Sequence, residues 1–155
     1  MKRIFFTGLL LLLILTGCSG SQSVSNELKL EIISHEINSW VNLMPGSKPS
    51  FFISGSINVR NNEDSLIDSI QLLKCEVLQE GNKLYELHPE LRNSVWNMDP
   101  MKPGTDRLFT LYLQTGTQIK KELNLDKPVS ISLILSALNK LSYYKIDSIY
   151  VMKTY

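Results

Sequence analysis

The sequence predicts an all-β domain, a β-sandwich of about seven strands with one short helix, behind an N-terminal signal. Two observations predict the strands. Apolar residues recur at every second position in several segments, as they do in strands that bury one face. Clusters of proline, glycine, asparagine and aspartate separate these segments at fairly regular intervals, which is typical of sandwiches.

The first two strands show the alternation most clearly. Leu28 to Val41 alternates apolar and polar residues, and a change of phase at Ile33-Ser34 indicates a β-bulge. We expect this strand to lie at a sheet edge, where a strand of a partner can pair with it. Phe51 to Arg60 alternates without interruption, and Gly55 in its interior indicates a close approach by a neighbouring chain segment.

A hairpin is predicted next. Ile67–Gln79 and Leu84–Leu87 are its strands, and the turn Glu80–Lys83 contains the glycine and asparagine that tolerate positive φ. Alternating apolar residues give the first of these strands a buried face: Leu73, Cys75 and Val77. We therefore expect Cys75 to be a buried strand residue and not a reactive thiol.

The second half of the domain is predicted to contain the helix. Ile119 and Leu123 have helical spacing within Thr117–Leu125, and Pro128 ends the segment. His88–Met98 fits either a helical turn or a short strand. Alternation predicts three further strands: Arg107–Leu113, Val129–Leu135 and Tyr144–Met152.

The chain begins with Lys2 and Arg3, and an apolar run from Ile4 to Ile14 follows that is shorter than the ~20 residues of a membrane span. Leu15-Thr16-Gly17-Cys18 comes next. This string resembles the lipobox of bacterial lipoproteins. The resemblance implies that the Cys18 thiol receives a diacylglycerol and that a peptidase cuts before it. An uncleaved anchor helix, or an ordinary signal with an incidental cysteine, is the alternative.

These features divide the chain into three parts. Residues 1–17 form a signal peptide with a helical apolar run, residues 18–26 a polar, flexible tether, and residues 27–155 the folded domain. With Cys18 carrying fatty acyl chains such as palmitate, Cys75 has no partner for an intrachain disulfide.

The tether sets the location. As a random coil it reaches only ~15 Å, so we expect the domain to lie close to the membrane that holds the lipid, on its extracytoplasmic side. Ser19 differs from the aspartate that keeps many Gram-negative lipoproteins in the inner membrane. The resemblance therefore favours the outer membrane if the organism is Gram-negative.

Three stretches of the domain carry a second resemblance. A glycine-bearing strand leads into an asparagine-rich turn over Ile53–Asn62, and a proline–glycine turn at Met101–Thr105 precedes a strand. Phe109-Thr110-Leu111-Tyr112 fits the first four positions of Phe-x-Leu-Tyr-Asp, but Leu113 stands where that signature has aspartate. The layout is similar to small bacterial extracytoplasmic domains of the FxLYD and related immunoglobulin-like type. It implies an immunoglobulin-like sandwich and no functional residues.

The residue types that carry chemistry are scattered. His35 and His88 lie in different segments without a partner at metal-ligand spacing, and Ser54-Gly55-Ser56 lies inside a strand, the wrong context for a nucleophile elbow. Glu63 and Asp64, in the turn after Arg60, are expected to be surface charges. We therefore predict a protein that is not an enzyme and has no metal and no cofactor.

Charge excludes one class of partner. Removal of the signal leaves 14 basic and 15 acidic residues, scattered without blocks. A basic footprint for nucleic acid is missing. The domain is expected to contact the membrane through its lipid and an envelope protein through its surface.

The function favoured by the sequence is a lipid-anchored cell-envelope protein that acts as a non-catalytic protein-binding or assembly module. Trp96, Tyr143 and Tyr144 are the candidate partner contacts, because aromatic residues dominate protein interfaces. The alternative is a lipid-anchored carrier of a small apolar ligand, which requires a large cavity between the sheets.

Overall fold

The computed structural model describes residues 27–94 and 99–155. The signal peptide, the tether with Cys18, and Trp96 lie outside the described residues. Ten strands are present in the described part. They are β1 Leu30–Asn42, β2 Ser50–Asn61, β3 Gln71–Gln79, β4 Asn82–Leu87, β5 Glu90–Asn93, β6 Asp106–Tyr112, β7 Thr117–Gln118, β8 Val129–Ala137, β9 Lys140–Ile149 and β10 Val151–Thr154.

The strands form two sheets, consistent with a β-sandwich. One sheet has six strands in the order β10-β1-β2-β6-β5, with β7 paired to the start of β2. The other has the order β4-β3-β8-β9. All-β architecture is therefore confirmed, whereas the number of strands exceeds the seven that the sequence predicts.

The core lies between the sheets and contains the side chains from the inner face of each central strand. β2 and β8 bury every second residue, and Phe51, Ile57, Ile131 and Leu133 are all fully buried. The Phe51 ring stacks on that of Tyr85 from β4, with centroids 4.9 Å apart. The predicted inward face of β2 is confirmed.

The predicted helix at 117–125 is wrong. Thr117–Gln118 pairs with β2, and turns follow. The Gln79 side chain accepts the Asn124 N–H and donates to the Asn124 and Lys127 carbonyls, while the Tyr85 hydroxyl accepts the Lys120 N–H. These long-range partners, with turn bonds such as that from the Leu123 N–H to the Lys120 carbonyl, take up backbone groups that a helix would pair internally. A nine-residue helix is marginal by itself.

Bulges alter the predicted faces in two places. The expected bulge at Ile33 is confirmed by the register shift between Ile32 and Ser34. A second shift, between Leu72 and Lys74, turns Leu73 outward, where it is 49% exposed. The prediction that Leu73 shares a buried face with Cys75 is therefore wrong, since a bulge reverses the alternation.

The last predicted strand is divided between the sheets. β9 pairs with β8, and its register shifts beyond Ile146, where Ser148 has a φ of 63°. The chain then crosses to the other sheet, where β10 runs parallel to β1. β10 covers only Ser39–Asn42 of β1, so the predicted edge of β1 persists over Leu30–Asn38 alone.

The β8–β9 turn contains a strained leucine. Leu138 and Asn139 have φ values of 52° and 58°, and Leu138 is 42% exposed. Turns with two positive φ angles favour asparagine and glycine. We expect Leu138→Asn to raise the free energy of unfolding by about 1 kcal/mol, since left-handed backbone is costly for a leucine. Urea denaturation of the two proteins measures this difference, and an unchanged or lower midpoint contradicts it.

Candidate functional site

The tether joins the domain at a fixed point beside β9. Glu27 forms a parallel bridge with Leu141, and the Leu28 N–H donates to the Leu141 carbonyl at 2.8 Å. The Leu28 side chain is 1% exposed. The first described residues are therefore part of the fold, and the chain enters the domain at this end of the sandwich.

A carboxylate secures the same junction. Glu63 accepts the Lys29 N–H at 3.0 Å, and the Lys140 ammonium donates to both of its oxygens at 3.1 Å. The pKa of Glu63 is lowered, first by the Lys29 N–H and then by Lys140, against the opposing effect of burial. Glu63 is only 8% exposed, so the prediction of a surface charge is wrong.

Glu63→Ala should weaken this junction. The change leaves the Lys29 N–H and the Lys140 ammonium without the carboxylate, and we expect a loss of about 2 kcal/mol of unfolding free energy. Because the folded pKa is depressed, the stabilisation is full above the ordinary value of 4.5 and is lost as the pH falls through the folded pKa.

Urea denaturation at pH 7 and at decreasing pH measures both effects. Asp106→Ala is the control, because its ion pair with Arg60 is exposed and such pairs contribute little. A Glu63 variant as stable at pH 7 as the Asp106 variant contradicts the assignment.

The predicted partner contacts have different surroundings. Tyr143 projects from the outer face of β9 and is 63% exposed. Tyr144 is half-buried against the core, where the Ser142 hydroxyl donates to its phenol oxygen at 2.9 Å. One tyrosine of the pair thus faces solvent, and Trp96 lies outside the described residues.

The outer face of the six-stranded sheet carries an aromatic row that the sequence interpretation missed. The Trp40 and Phe52 rings stack with centroids 5.4 Å apart, and Met152, opposite Trp40 on β10, is 52% exposed. On the same sheet Arg92 lies over the Tyr112 ring at 5.4 Å. The available signal was Phe52, a large apolar residue on the otherwise polar face of β2.

Cys75 is inert in the folded domain. Its side chain is 0% exposed, and burial raises the pKa of the thiol to about 12. The thiolate is the reactive form of cysteine, and burial disfavours it here. We expect the folded protein to react with a thiol reagent only as fast as it unfolds. Rapid labelling without denaturant contradicts this expectation.

Metal-ligating side chains do not cluster in residues 27–94 and 99–155. No group of three His, Cys, Asp or Glu side chains in these ranges has metal-binding geometry. His35 lies on β1, and His88 lies between β4 and β5. Likewise, these ranges contain no helix long and apolar enough to cross a bilayer.

Surface grooves are present at both ends of the sandwich. One of about 390 Å³ lies where the tether joins, between Glu27, Leu141 and Tyr143. Another, of about 250 Å³, lies at the same end beside β5 and is lined by Leu91, Phe109 and other residues. Two more, of about 530 and 650 Å³, lie at the opposite end along residues 116–122.

Comparison with known proteins identifies the N-terminus. Residues 1–19 match the family model described as a prokaryotic membrane lipoprotein lipid attachment site. No curated protein and no solved structure gives a significant match to the chain. The match supports a bacterial lipoprotein, anchored to a membrane on the extracytoplasmic side.

Proposed function

We propose that this lipoprotein is a non-catalytic module that holds a protein partner at the cell envelope, and that its domain is immunoglobulin-like. The strand order supports the second part. With β7 and β10 set aside, β1-β2-β6-β5 and β4-β3-β8-β9 correspond to strands A-B-E-D and C′-C-F-G of that fold.

The aromatic row on the six-stranded sheet is the observation that carries the binding role. Met152, Trp40 and Phe52 are neighbours in register across β10, β1 and β2. Tyr112 and Arg92 extend the face beyond them. Aromatic residues and arginine supply most of the energy in protein interfaces, and a sheet face presents them rigidly.

The packing of the core favours a binding module over a ligand carrier. Core residues from both sheets, such as Ile57 of β2 and Leu133 of β8, are 0% exposed. The groove beside β5 is lined by core side chains such as Met101 and Phe109, but it is small and open to solvent. The other grooves lie at strand ends and loops and are also open. A carrier of an apolar molecule needs a largely enclosed pocket of several hundred Å³.

Photocrosslinking in the native envelope tests the proposal. A benzophenone amino acid replaces Tyr112, which is 44% exposed, in the lipidated full chain. The matched control carries it at Lys145, on the outer face of the other sheet. We expect a discrete protein adduct from position 112 and none from position 145.

Met152→Ser provides the second arm, because this exposed side chain lies beside Trp40 and contributes little to the core. It should reduce the adduct from position 112 several-fold. Equal adducts from positions 112 and 145 contradict a specific interface. A small molecule that copurifies in the absence of any protein adduct favours the carrier.

We also propose the outer membrane as the destination in a Gram-negative host. Ser19, in place of aspartate after the lipidated cysteine, supports this location. Density separation of the two membranes tests it: the native chain should be found with the outer membrane, and a Ser19→Asp variant should move to the inner one.

A further inference from the structure

An apolar patch of exposed and half-buried side chains surrounds the point where the tether joins the domain. Leu138 is at the tip of the β8–β9 turn, and Tyr143 is on the outer face of β9, opposite Ile134. Leu73 is turned outward beside Ile134 by the bulge in β3. We call the following residues the hairpin patch: Leu73, Ile134, Leu138, Leu141 and Tyr143.

The tether brings this patch to a membrane. Leu141 of the patch bridges Glu27, and Tyr143 shares a groove with Glu27. Nine residues, Cys18 to Asn26, separate the lipid from that bridge. Whatever their conformation, nine residues span at most about 30 Å. The bilayer is therefore always within reach of the patch, and tethering gives even a weak contact a high effective concentration.

The chemistry of the patch suits the headgroup region of a bilayer. Leu138 is 42% exposed and Tyr143 is 63% exposed. Tyrosine favours this depth, because its ring is apolar and its hydroxyl keeps contact with water. The neighbouring ammonium groups are engaged by carboxylates. Lys140 is paired with Glu63, Lys74, opposite Ile134 in register, with Glu76, and Lys145 with Asp147. The contact is therefore apolar, and anionic lipid is not required.

We propose that the hairpin patch rests on the phospholipid bilayer that holds the anchor, with Leu138 and Tyr143 at the level of the headgroups. The proposal rests on the lipid anchor of the proposed function. It fixes the orientation of the domain, so that the β3–β4 turn and the loop after β1 point away from the membrane. The outer face of the six-stranded sheet, with the aromatic row, then remains accessible to a protein partner.

Spin-label accessibility tests this orientation. The lipidated full chain carries a nitroxide on Asn139→Cys, next to Leu138, or on Asn82→Cys at the opposite end as control. Cys75 is buried and stays unlabelled. The protein is reconstituted into vesicles of phosphatidylethanolamine and phosphatidylglycerol, three to one, and collisions with a water-soluble nickel chelate are measured.

We expect shielding of position 139 by at least about threefold relative to position 82, since the headgroup layer excludes the chelate. The shielding should persist in about 0.5 M salt, where electrostatic contacts are screened. Leu138→Asn with Tyr143→Ser should abolish it, whereas Met44→Asn with Tyr155→Ser, equally exposed changes at the far end, should leave it.

Three results overturn the proposal. Equal accessibility at positions 139 and 82 in protein that floats with the vesicles rejects the orientation, leaves the anchor intact and returns Tyr143 to the candidate protein contacts. Shielding that salt removes rejects the apolar contact. Failure of the chain to float rejects the anchor itself, and the orientation with it.

Discussion

Replacement of Cys18 by alanine is expected to abolish fatty-acid incorporation and either to release the domain from the membrane or to leave an unprocessed precursor. We expect the Cys18 thiol to be the modified group, because residues 1–19 match the model of a lipid attachment site. Stable anchoring takes more than one acyl chain, and we propose that this one cysteine carries them.

The measurement combines labelling with fatty acid and flotation of the membranes. Cys75→Ala is the matched control, because it removes the other cysteine of the chain and should leave both labelling and flotation unchanged. Labelled lipid on the Cys18 variant would falsify the assignment.

The Cys18→Ala variant should keep its fold once it is released from the membrane. The hydrogen bonds that hold the start of the domain begin at Leu28, and the Glu63 carboxylate contacts Lys29 and Lys140, all beyond the tether. Circular dichroism and the urea midpoint of the released domain should therefore match those of the lipidated protein in detergent. A released domain that is unfolded contradicts a junction secured within residues 27–155.

The sequence predicted the features of the fold that depend on local patterns. The alternation of β2, the bulge at Ile33 and the turn at Glu80-Gly81, where both residues have positive φ, are all present. Each depends on residues close together in the chain. Single-segment periodicity is sufficient for such features.

The sequence predictions are wrong where contacts between residues distant in the chain determine the local structure. The 117–125 segment has helical spacing, yet Gln79 and Tyr85 bind its backbone groups from other strands. The phase of β9 changes near Ser148 because the chain leaves one sheet for the other. Local propensity gives no indication of either contact.

The candidate site was predicted only in part, because one of its features is local in the sequence and the other depends on distant contacts. The lipid attachment string is a linear motif, so the sequence contains it completely. The carboxylate at the junction is different: Glu63 meets Lys29 and Lys140, which are 34 and 77 positions away. In the sequence it is one acidic residue in a polar turn, and only the folded chain shows its partners.

Gly55→Ala is expected to be strongly destabilising. A Cβ at this position would lie 2.1 Å from the Glu36 carbonyl oxygen and 2.7 Å from the Ile37 Cα. Both atoms belong to the backbone of β1, which pairs with β2 at Ile37 and Gly55. Neither can move away unless the ladder opens, so we expect a loss of about 3 kcal/mol or more.

Gly46→Ala is the matched control. Gly46 has a φ of 88°, and a Cβ there meets nothing within 4 Å. Its substitution adds backbone strain alone, which costs about 1 kcal/mol. Urea denaturation separates the two contributions. A Gly55 variant no less stable than the Gly46 variant contradicts the close approach of the strands.

The consequence of Gly55→Ala extends to the proposed interface. β1 contributes Trp40 to the aromatic row, and its start receives the tether through Leu28 and Lys29. A change that separates β1 from β2 therefore moves Trp40 away from Phe52. Under conditions where the Gly55 variant remains folded, the crosslink from position 112 should weaken, whereas the Gly46 variant should retain it. An undiminished crosslink from a folded Gly55 variant contradicts the assignment of the row as the binding face.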